Sequence, residues 1–407
     1  MSGVTDTVST PSLLHASDLD GFRSIAAAGM DRFRAELAEL VAIDSGSSDA
    51  AGVDRVGAWA AARLEELGFG VRTVPTPPVG ERRFGAVVVG RRAGTGTGTV
   101  LLFAHLDTVF AEGTAAARPY REEGGRAFGP GVSDDKGGVA AALLAVRTLI
   151  AAGRHDYGEL VLAFTPDEEV GSPASRAVLR DLAGDADLAL CLECARENGD
   201  LVAARKGVAD VRLQVTGRAA HSGVEPHRGI NAALEAAHLT VDLQGLSGSR
   251  DGLTVNVGRL EAGSRANIVP AEAQLTVEVR ASLRADLEAV LDAIDARAAA
   301  PVVEGAVISV LRDDVCPPLE VASTARLMAL ARGLGTGLGM PVHGAATGGA
   351  SDANFVAAGG IPVLDGVGPV GGGDHSPGEW LDLGSVPDRV ALLCGLILAG
   401  PGAVVTA

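Results

Sequence analysis

His105 and Asp107 form an H-x-D directly after the apolar run VLLFA. Asp134 and Asp135 follow GPGVS, Glu168 and Glu169 end the stretch LVLAFTPDEE, Glu193 lies within LCLEC, and His375 stands downstream in GDHSPGEW. A carboxylate at a strand end is commonly just solvated, so any one of these positions alone means little. Together they supply two imidazoles and several carboxylates, an N/O donor set that suits zinc or another borderline divalent ion. On an extended segment the side-chain period of two puts His105 and Asp107 on one face, where the carboxylate can orient a metal-binding ring without itself touching the ion. Adjacent Glu168 and Glu169 project differently, so one can bind metal while the other moves protons, a division that suits hydrolysis.

The elements that must position these residues are legible as well. Val56, Ala60, Leu64 and Leu67 recur at helical spacing between Asp49 and Gly68, which acts as a glycine stop. The runs GVRTV, GAVVVG, TVLLFAH, ELVLAFT and DLALCLE read as short strands, and an apolar helical stretch from Lys136 to Ala152 separates two of them. Apolar residues at nearly every strand position predict a mostly parallel mixed sheet covered by helices, with polar residues at its C-terminal edge open to suspicion. The glycine-rich GRRAGTGTGTV lacks phosphate-loop spacing and is expected to be a hairpin loop. GVGPVGGGDH leads straight into His375 and is a candidate site loop.

After Lys206 the pattern changes. Val211, Leu213 and Val215 alternate with polar residues, which predicts a sheet with one open face. A helix over 230–243, strands over 253–261 and 272–280, a helix over 283–299 and a strand over 305–311 complete a β-α-β-β-α-β order, that of a ferredoxin-like domain. The predicted organisation is a catalytic α/β domain in two parts, 1–205 and 318–407, interrupted by an inserted domain, 206–317. Residues 1–20 are expected to be an extension.

A chain of 407 residues supports two domains. Its net charge of −17 argues against nucleic acid as a partner. No apolar run suggests a membrane span and no secretory signal is recognisable, so a soluble cytoplasmic protein is expected. Four cysteines are too few for a disulfide scaffold. Cys191 and Cys194 form a C-x-x-C, but within the apolar run DLALCLEC they read as buried packing, not a redox pair.

HLDTV, GPGVSDDKGG, PDEEVGS, the LE of LCLEC and DHSPGE occur in order, and with them the chain resembles the two-zinc family of glutamate carboxypeptidase, aminoacylase, acetylornithine deacetylase and succinyl-diaminopimelate desuccinylase. The resemblance runs from about Phe22 to the C-terminus and is closest in pattern to glutamate carboxypeptidase. It implies two Zn2+ per subunit, with Co2+ or Mn2+ as substitutes. Asp134 would bridge them, with His105 and Glu193 on one ion and Glu169 and His375 on the other. It further implies a cis peptide after Asp134, and Glu168 as the base that takes a proton from a metal-activated water, with Asp107 supporting the site.

In the inserted domain TGRAAHSGVEPHRGINA resembles the family's lid histidine segment. The resemblance implies that His221 reaches the partner subunit's active site in a homodimer formed through this domain, and stabilises the oxyanion there. SRANIVPAEA and LTVEVRAS imply that Asn267 and Arg280 hold the substrate's free carboxylate; Arg280 ending a strand in water is the bland alternative. TGGASDANF implies a loop beside the substrate, with Gly349 in contact.

The expected substrate is a small molecule or short peptide whose scissile amide adjoins a free C-terminal amino acid, glutamate for preference. An N-acyl-amino-acid deacylase is the nearest alternative. A non-catalytic metal- or peptide-binding protein is the alternative of another class, opposed by the complete ligand set and the intact Glu168.

Overall fold

The computed structural model describes residues 14–405. The expected N-terminal extension lies outside these residues as far as position 13. From Ala16 the chain is helical, in Ala16–Ala28, and Leu19 and Phe22 of that helix are buried. The described chain forms two compact units, one of residues up to Ala203 with 321–346 and the stretch from Ser351 onward, the other of 204–320 with 347–350. Each has its own hydrophobic core. Residues 347–350 thus group with the inserted unit, although their place in the sequence put them in the stretch that resumes the first.

The first unit is a mixed α/β structure on a six-stranded sheet, ordered Gly70–Val74, Val87–Ala93, Tyr157–Thr165, Thr97–His105, Leu188–Cys191, Val363–Leu364. The first two pairings are antiparallel and the other three parallel. The parallel half carries the continuous apolar runs: Val100 to Phe103 and Leu160 to Phe164 are buried throughout. Gly70–Val74 is a half-exposed edge, which its Arg72 and Thr73 tolerate.

GRRAGTGTGTV does not close a hairpin. The strands on either side of it both pair with Tyr157–Thr165, which inserts between them. Gly94, Thr95 and Gly96 donate their backbone N–H groups to the carbonyls of Gly158, His155 and Tyr157. A Cβ on Gly94 would lie 2.0 Å from Tyr157 O, and one on Gly96 would lie 1.9 Å from Asp156 O. The glycines are there for close backbone approach, not for a two-strand turn.

Helices flank this sheet. Ala50–Glu66 begins at Asp49, whose carboxylate accepts from Gly52 N at 3.0 Å. Lys136–Ala151 is buried along almost its whole length, which explains an Ala-, Leu- and Val-rich sequence without a polar face. Val386–Val404 is long and apolar enough to cross a membrane by length and composition, but 72% of its most apolar window is buried inside the unit, as in a core helix.

The second unit is a four-stranded antiparallel sheet, ordered Thr254–Ala262, Glu272–Ala281, Gly207–Thr216, Val307–Cys316, with helices Ala232–Gln244 and Arg284–Ala298. Ala209, Val211, Leu213 and Val215 pack with Leu239, Leu243, Leu287 and Ile294 of the helices, while Asp210, Arg212, Gln214 and Thr216 face solvent. The alternation read from the sequence is this half-covered face. The last strand extends five residues beyond its expected end. A register shift between Arg312 and Val315 lets it follow Gly207–Thr216 along its whole length. Where the chain enters and leaves the unit, Arg205 N donates to Leu319 O at 3.0 Å and Leu319 N to Arg205 O at 3.1 Å.

Candidate metal centre

Parallel pairing brings strand ends into line. His105 pairs with Thr165 and Phe103 with Cys191, so His105 itself, Glu168 and Glu169 just past Thr165, and Glu193 just past Cys191 emerge at one edge of the sheet. Asp134 arrives from the turn ahead of helix Lys136–Ala151 and is joined to Asp135 by a cis peptide. His375 is carried by the glycine-rich loop with φ 62°, a left-handed conformation unusual outside glycine.

Asp134 stands between the two histidines. Its Oδ1 lies 2.8 Å from His105 Nε2 and its Oδ2 lies 3.1 Å from His375 Nε2. Glu193 Oε1 is 3.7 Å from His105 Nε2, and Glu169 Oε2 is 3.0 Å from His375 Nε2. Donor atoms of His105, Asp134 and Glu193 fall within 4.8 Å of one another, as do those of Asp134, Glu169 and His375, giving two groups that share one aspartate. Glu169 Oε1 is buried without a hydrogen-bond partner, an orphan acceptor that a cation would satisfy. The donor set and its geometry fit a pair of divalent ions.

The supports are buried. Asp107 accepts from Ser47 Oγ at 2.6 Å, from Glu168 N at 3.1 Å and from Glu169 N at 3.2 Å, fixing the turn that carries both glutamates. His105 Nδ1 lies 3.4 Å from the Asp107 carboxylate but donates to its backbone carbonyl at 3.0 Å, so that main-chain oxygen is the nearer partner orienting the ring. Glu379 accepts from the backbone N–H groups of Gly131, Ser133 and Asp134 at 2.9, 2.8 and 3.1 Å and clamps the turn bearing Asp134. Asp352 accepts from Thr165 Oγ1 at 2.8 Å and from Ser172 Oγ, tying the strand end to the segment after the glutamates. Sequence reasoning gave Ser47, Glu379 and Asp352 no role. The signal for the latter two was their place in DHSPGE and TGGASDANF.

The charges interact strongly. Burial pushes the Glu168 carboxyl well above its ordinary range, and the Glu193 carboxylate pushes it further. Burial also raises Glu169, against a hydrogen bond from His375 that lowers it. Burial works to depress His105, yet its hydrogen bonds to Asp107 and Asp134 leave it well above 6.5. Hydrogen bonds to Asp134 and Glu169 push His375 up to about 10. Burial works to raise Asp134, but His105 and His375 hold it well below the usual carboxylate range. Burial pushes the Cys194 thiol far up, and Cys191 and Cys194 are buried and form no disulfide, contrary to what a reactive pair needs.

In the second unit His221 and Asn267 lie together on exposed loops: Ser222 N donates to Asn267 O at 3.1 Å, and His221 bridges Ile268. Gly223 N donates to His221 Nδ1 at 3.2 Å, which leaves Nε2 as the ring's N–H donor in the neutral tautomer. Arg280 is elsewhere. Glu272 pairs with Thr216 at one end of the sheet and Arg280 with Val208 at the other, about 25 Å away at strand rise, and the His221 and Asn267 loops lie beyond the Glu272 end. The expectation that Asn267 and Arg280 grip one carboxylate is therefore not met within one inserted unit. Arg280 instead bonds Glu278 and donates from Nη1 to Gly348 O at 2.8 Å, beside Gly349.

An N/O donor cluster at the C-terminal edge of the parallel half of a mixed sheet, with a half-buried carboxylate of raised pKa beside it, is the arrangement of a metal-dependent hydrolase. The chain belongs to peptidase family M20/M25/M40, which matches residues 101–399 and bears out the resemblance read from the motifs. It is 33% identical over 369 residues to carboxypeptidase G2 of a Pseudomonas species, covering 89% of this chain and 88% of that one. It is 31% identical over 261 residues to acetylornithine deacetylase of Myxococcus xanthus, covering 61% and 66%. Its fold is similar to that of the aminopeptidase PepT of Bacillus cereus, with TM-score 0.74 and 24% identity over 91% of this chain and 98% of that one.

Proposed function

We propose that the chain is a two-zinc amidohydrolase of the cytoplasm that cleaves an amide or peptide bond next to a free C-terminal amino acid, with glutamate the first choice. The observation that carries this reading is the pair of donor groups sharing Asp134, with Glu168 beside them. His105 and Glu193 would hold one ion, Glu169 and His375 the other; Co2+ or Mn2+ suits the same donors. When bound, the ions supply Lewis acidity and lower the pKa of water. Glu168 takes a proton from the attacking water and returns it to the leaving nitrogen. Asp107 keeps the Glu168 turn and the His105 ring in register.

The inserted unit is proposed as a ferredoxin-like lid and dimerisation domain. Its edge strands carry exposed Leu260, Val307 and Leu311, apolar surface that a second copy would cover. The separation of Asn267 from Arg280 also favours a homodimer, in which His221 and Asn267 of one copy complete the site of the other. His221 Nε2–H would stabilise the oxyanion. Four cysteines outside any disulfide support the cytoplasmic assignment.

The test is a screen of N-acyl amino acids and dipeptides, each paired with its C-terminal amide, against the zinc-loaded protein. Free acids should be hydrolysed and amides spared. Equal hydrolysis of both would reject the carboxypeptidase reading. The similarity to a deacetylase favours one second reading, N-acyl-amino-acid deacylation, and turnover of N-acetyl amino acids with no turnover of dipeptides would select it.

A further inference from the structure

Next to the metal cluster, within the first unit, lies a cleft of about 300 Å3 whose lining includes Glu169, Val170, Ser47, Ser48, Phe110 and Arg82. Its floor is fixed. Ser47 N donates to Thr108 O at 3.2 Å, Thr108 N donates to Ser45 O at 2.9 Å, and Ser47 Oγ is held by Asp107. One wall is fixed too, because Arg118 stacks over the Phe110 ring, 4.4 Å from its centroid.

Arg82 reaches the cleft from a different segment. Its backbone closes a tight turn with Val79, N to O at 3.1 and 3.0 Å, around Gly80 at φ 59°. The turn sets where the side chain starts, and its guanidinium rests 5.9 Å from the centroid of Phe84. The residue is exposed and forms no ion pair among the described residues. Several other exposed arginines, among them Arg55, Arg121 and Arg259, face a carboxylate. In a chain of net charge −17, with Glu169 in the same cleft, this cation is the group that would admit a negatively charged moiety.

On the amidohydrolase reading the substrate extends from the metal cluster on both sides of the scissile amide, and the cleft beside Glu169 can take the acyl end. Resting on the amidohydrolase reading, we propose that Arg82 is a specificity residue for anionic acyl groups, those ending in a carboxylate, such as a dicarboxylic acyl chain or an acidic N-terminal residue. A guanidinium suits this because its planar fork donates to both carboxylate oxygens at once. Val170 and Phe110 give the acyl methylenes apolar surface on the way.

The test compares N-succinyl-L-glutamate with N-succinamoyl-L-glutamate, the neutral amide of the same shape, on the zinc-loaded full chain. Steady-state kinetics and calorimetric binding are both read for the unmodified protein, Arg82→Ala and Arg82→Glu. The unmodified protein should favour the succinyl compound by about fivefold, the scale of a partly exposed ion pair. Arg82→Ala should erase that ratio and Arg82→Glu should reverse it, with the succinamoyl compound little affected. A ratio near one in the unmodified protein, or one that survives Arg82→Ala, overturns the proposal. If neither compound is hydrolysed the amidohydrolase reading fails separately, and the affinity ratio from calorimetry still decides whether Arg82 reads the distal charge.

Discussion

Arg280 donates from Nε to Glu278 Oε1 at 2.5 Å and from Nη2 to Glu278 Oε2 at 3.2 Å, a two-pronged pair between residues on one face of a strand. The hydrogen bond from Arg280 holds the Glu278 carboxyl below its ordinary pKa. A substrate carboxylate bound by Arg280 competes with Glu278 for the guanidinium. With side chains 34% and 41% exposed, the pair is screened and the competition is mild. Glu278→Gln should therefore lower KM for free-acid substrates by about threefold, while Arg280→Ala raises it, and neither should matter for C-terminal amides. Steady-state kinetics on matched acids and amides checks this. An unchanged KM in both variants removes Arg280 from carboxylate recognition.

Glu168→Gln should keep both metal ions and lose about 100- to 10,000-fold in kcat, because on the proposed reading it removes the proton acceptor and no ligand. Metal content by elemental analysis, read beside turnover, separates this from a damaged site. Near-normal turnover would exclude Glu168 as the base.

Asp134→Ala should abolish binding of both ions, whereas His375→Ala should remove one, since only Asp134 belongs to both donor groups. Equilibrium dialysis gives the stoichiometry. Because His375 without metal titrates near pH 10, it carries a proton at neutral pH that an incoming ion must expel. Metal affinity should rise with pH up to that value, and calorimetry in buffers of different ionisation enthalpy should detect proton release at pH 7. In the metal-free protein the sign is opposite. The raised His375 pKa contributes stability that is fully present below 6.5 and lost as pH rises through about 10.

Glu379→Gln should weaken metal binding by about 10- to 100-fold without touching a ligand. Glu379 uses both oxygens to accept three backbone N–H groups, and an amide NH2 at either place would confront a donor with a donor. Competition with a chromophoric chelator measures the loss. Unchanged affinity would mean that the turn carrying Asp134 holds itself.

What could be read from the chain alone was whatever leaves a local mark. The strand runs, the helix starting at Asp49 and the alternation of Val211, Leu213 and Val215 are periodicities, and the metal-site residues sit in short motifs. What failed depended on strand order. The loop at Gly94–Gly96 reads as a hairpin because nothing nearby reveals that Tyr157–Thr165 inserts between its flanking strands. Arg280 and Asn267 lie 13 positions apart, yet the strand between them carries them to opposite ends of a sheet. Glu379 and Ser47 act through backbone N–H groups and a buried carboxylate far away in sequence, contacts that no spacing rule encodes.

The reciprocal bonds between Arg205 and Leu319 bear on how the chain finds its fold. For the first unit to assemble, residues on either side of 204–320 must meet, and a flexible loop of that length makes the meeting entropically costly. Once the inserted unit has folded, its two ends are pinned side by side and the first unit sees a short bridge in place of a long tether. The unit proposed as a lid thus also acts as an intramolecular splint, so slowing its folding should delay the larger unit with no loss of the larger unit's own contacts.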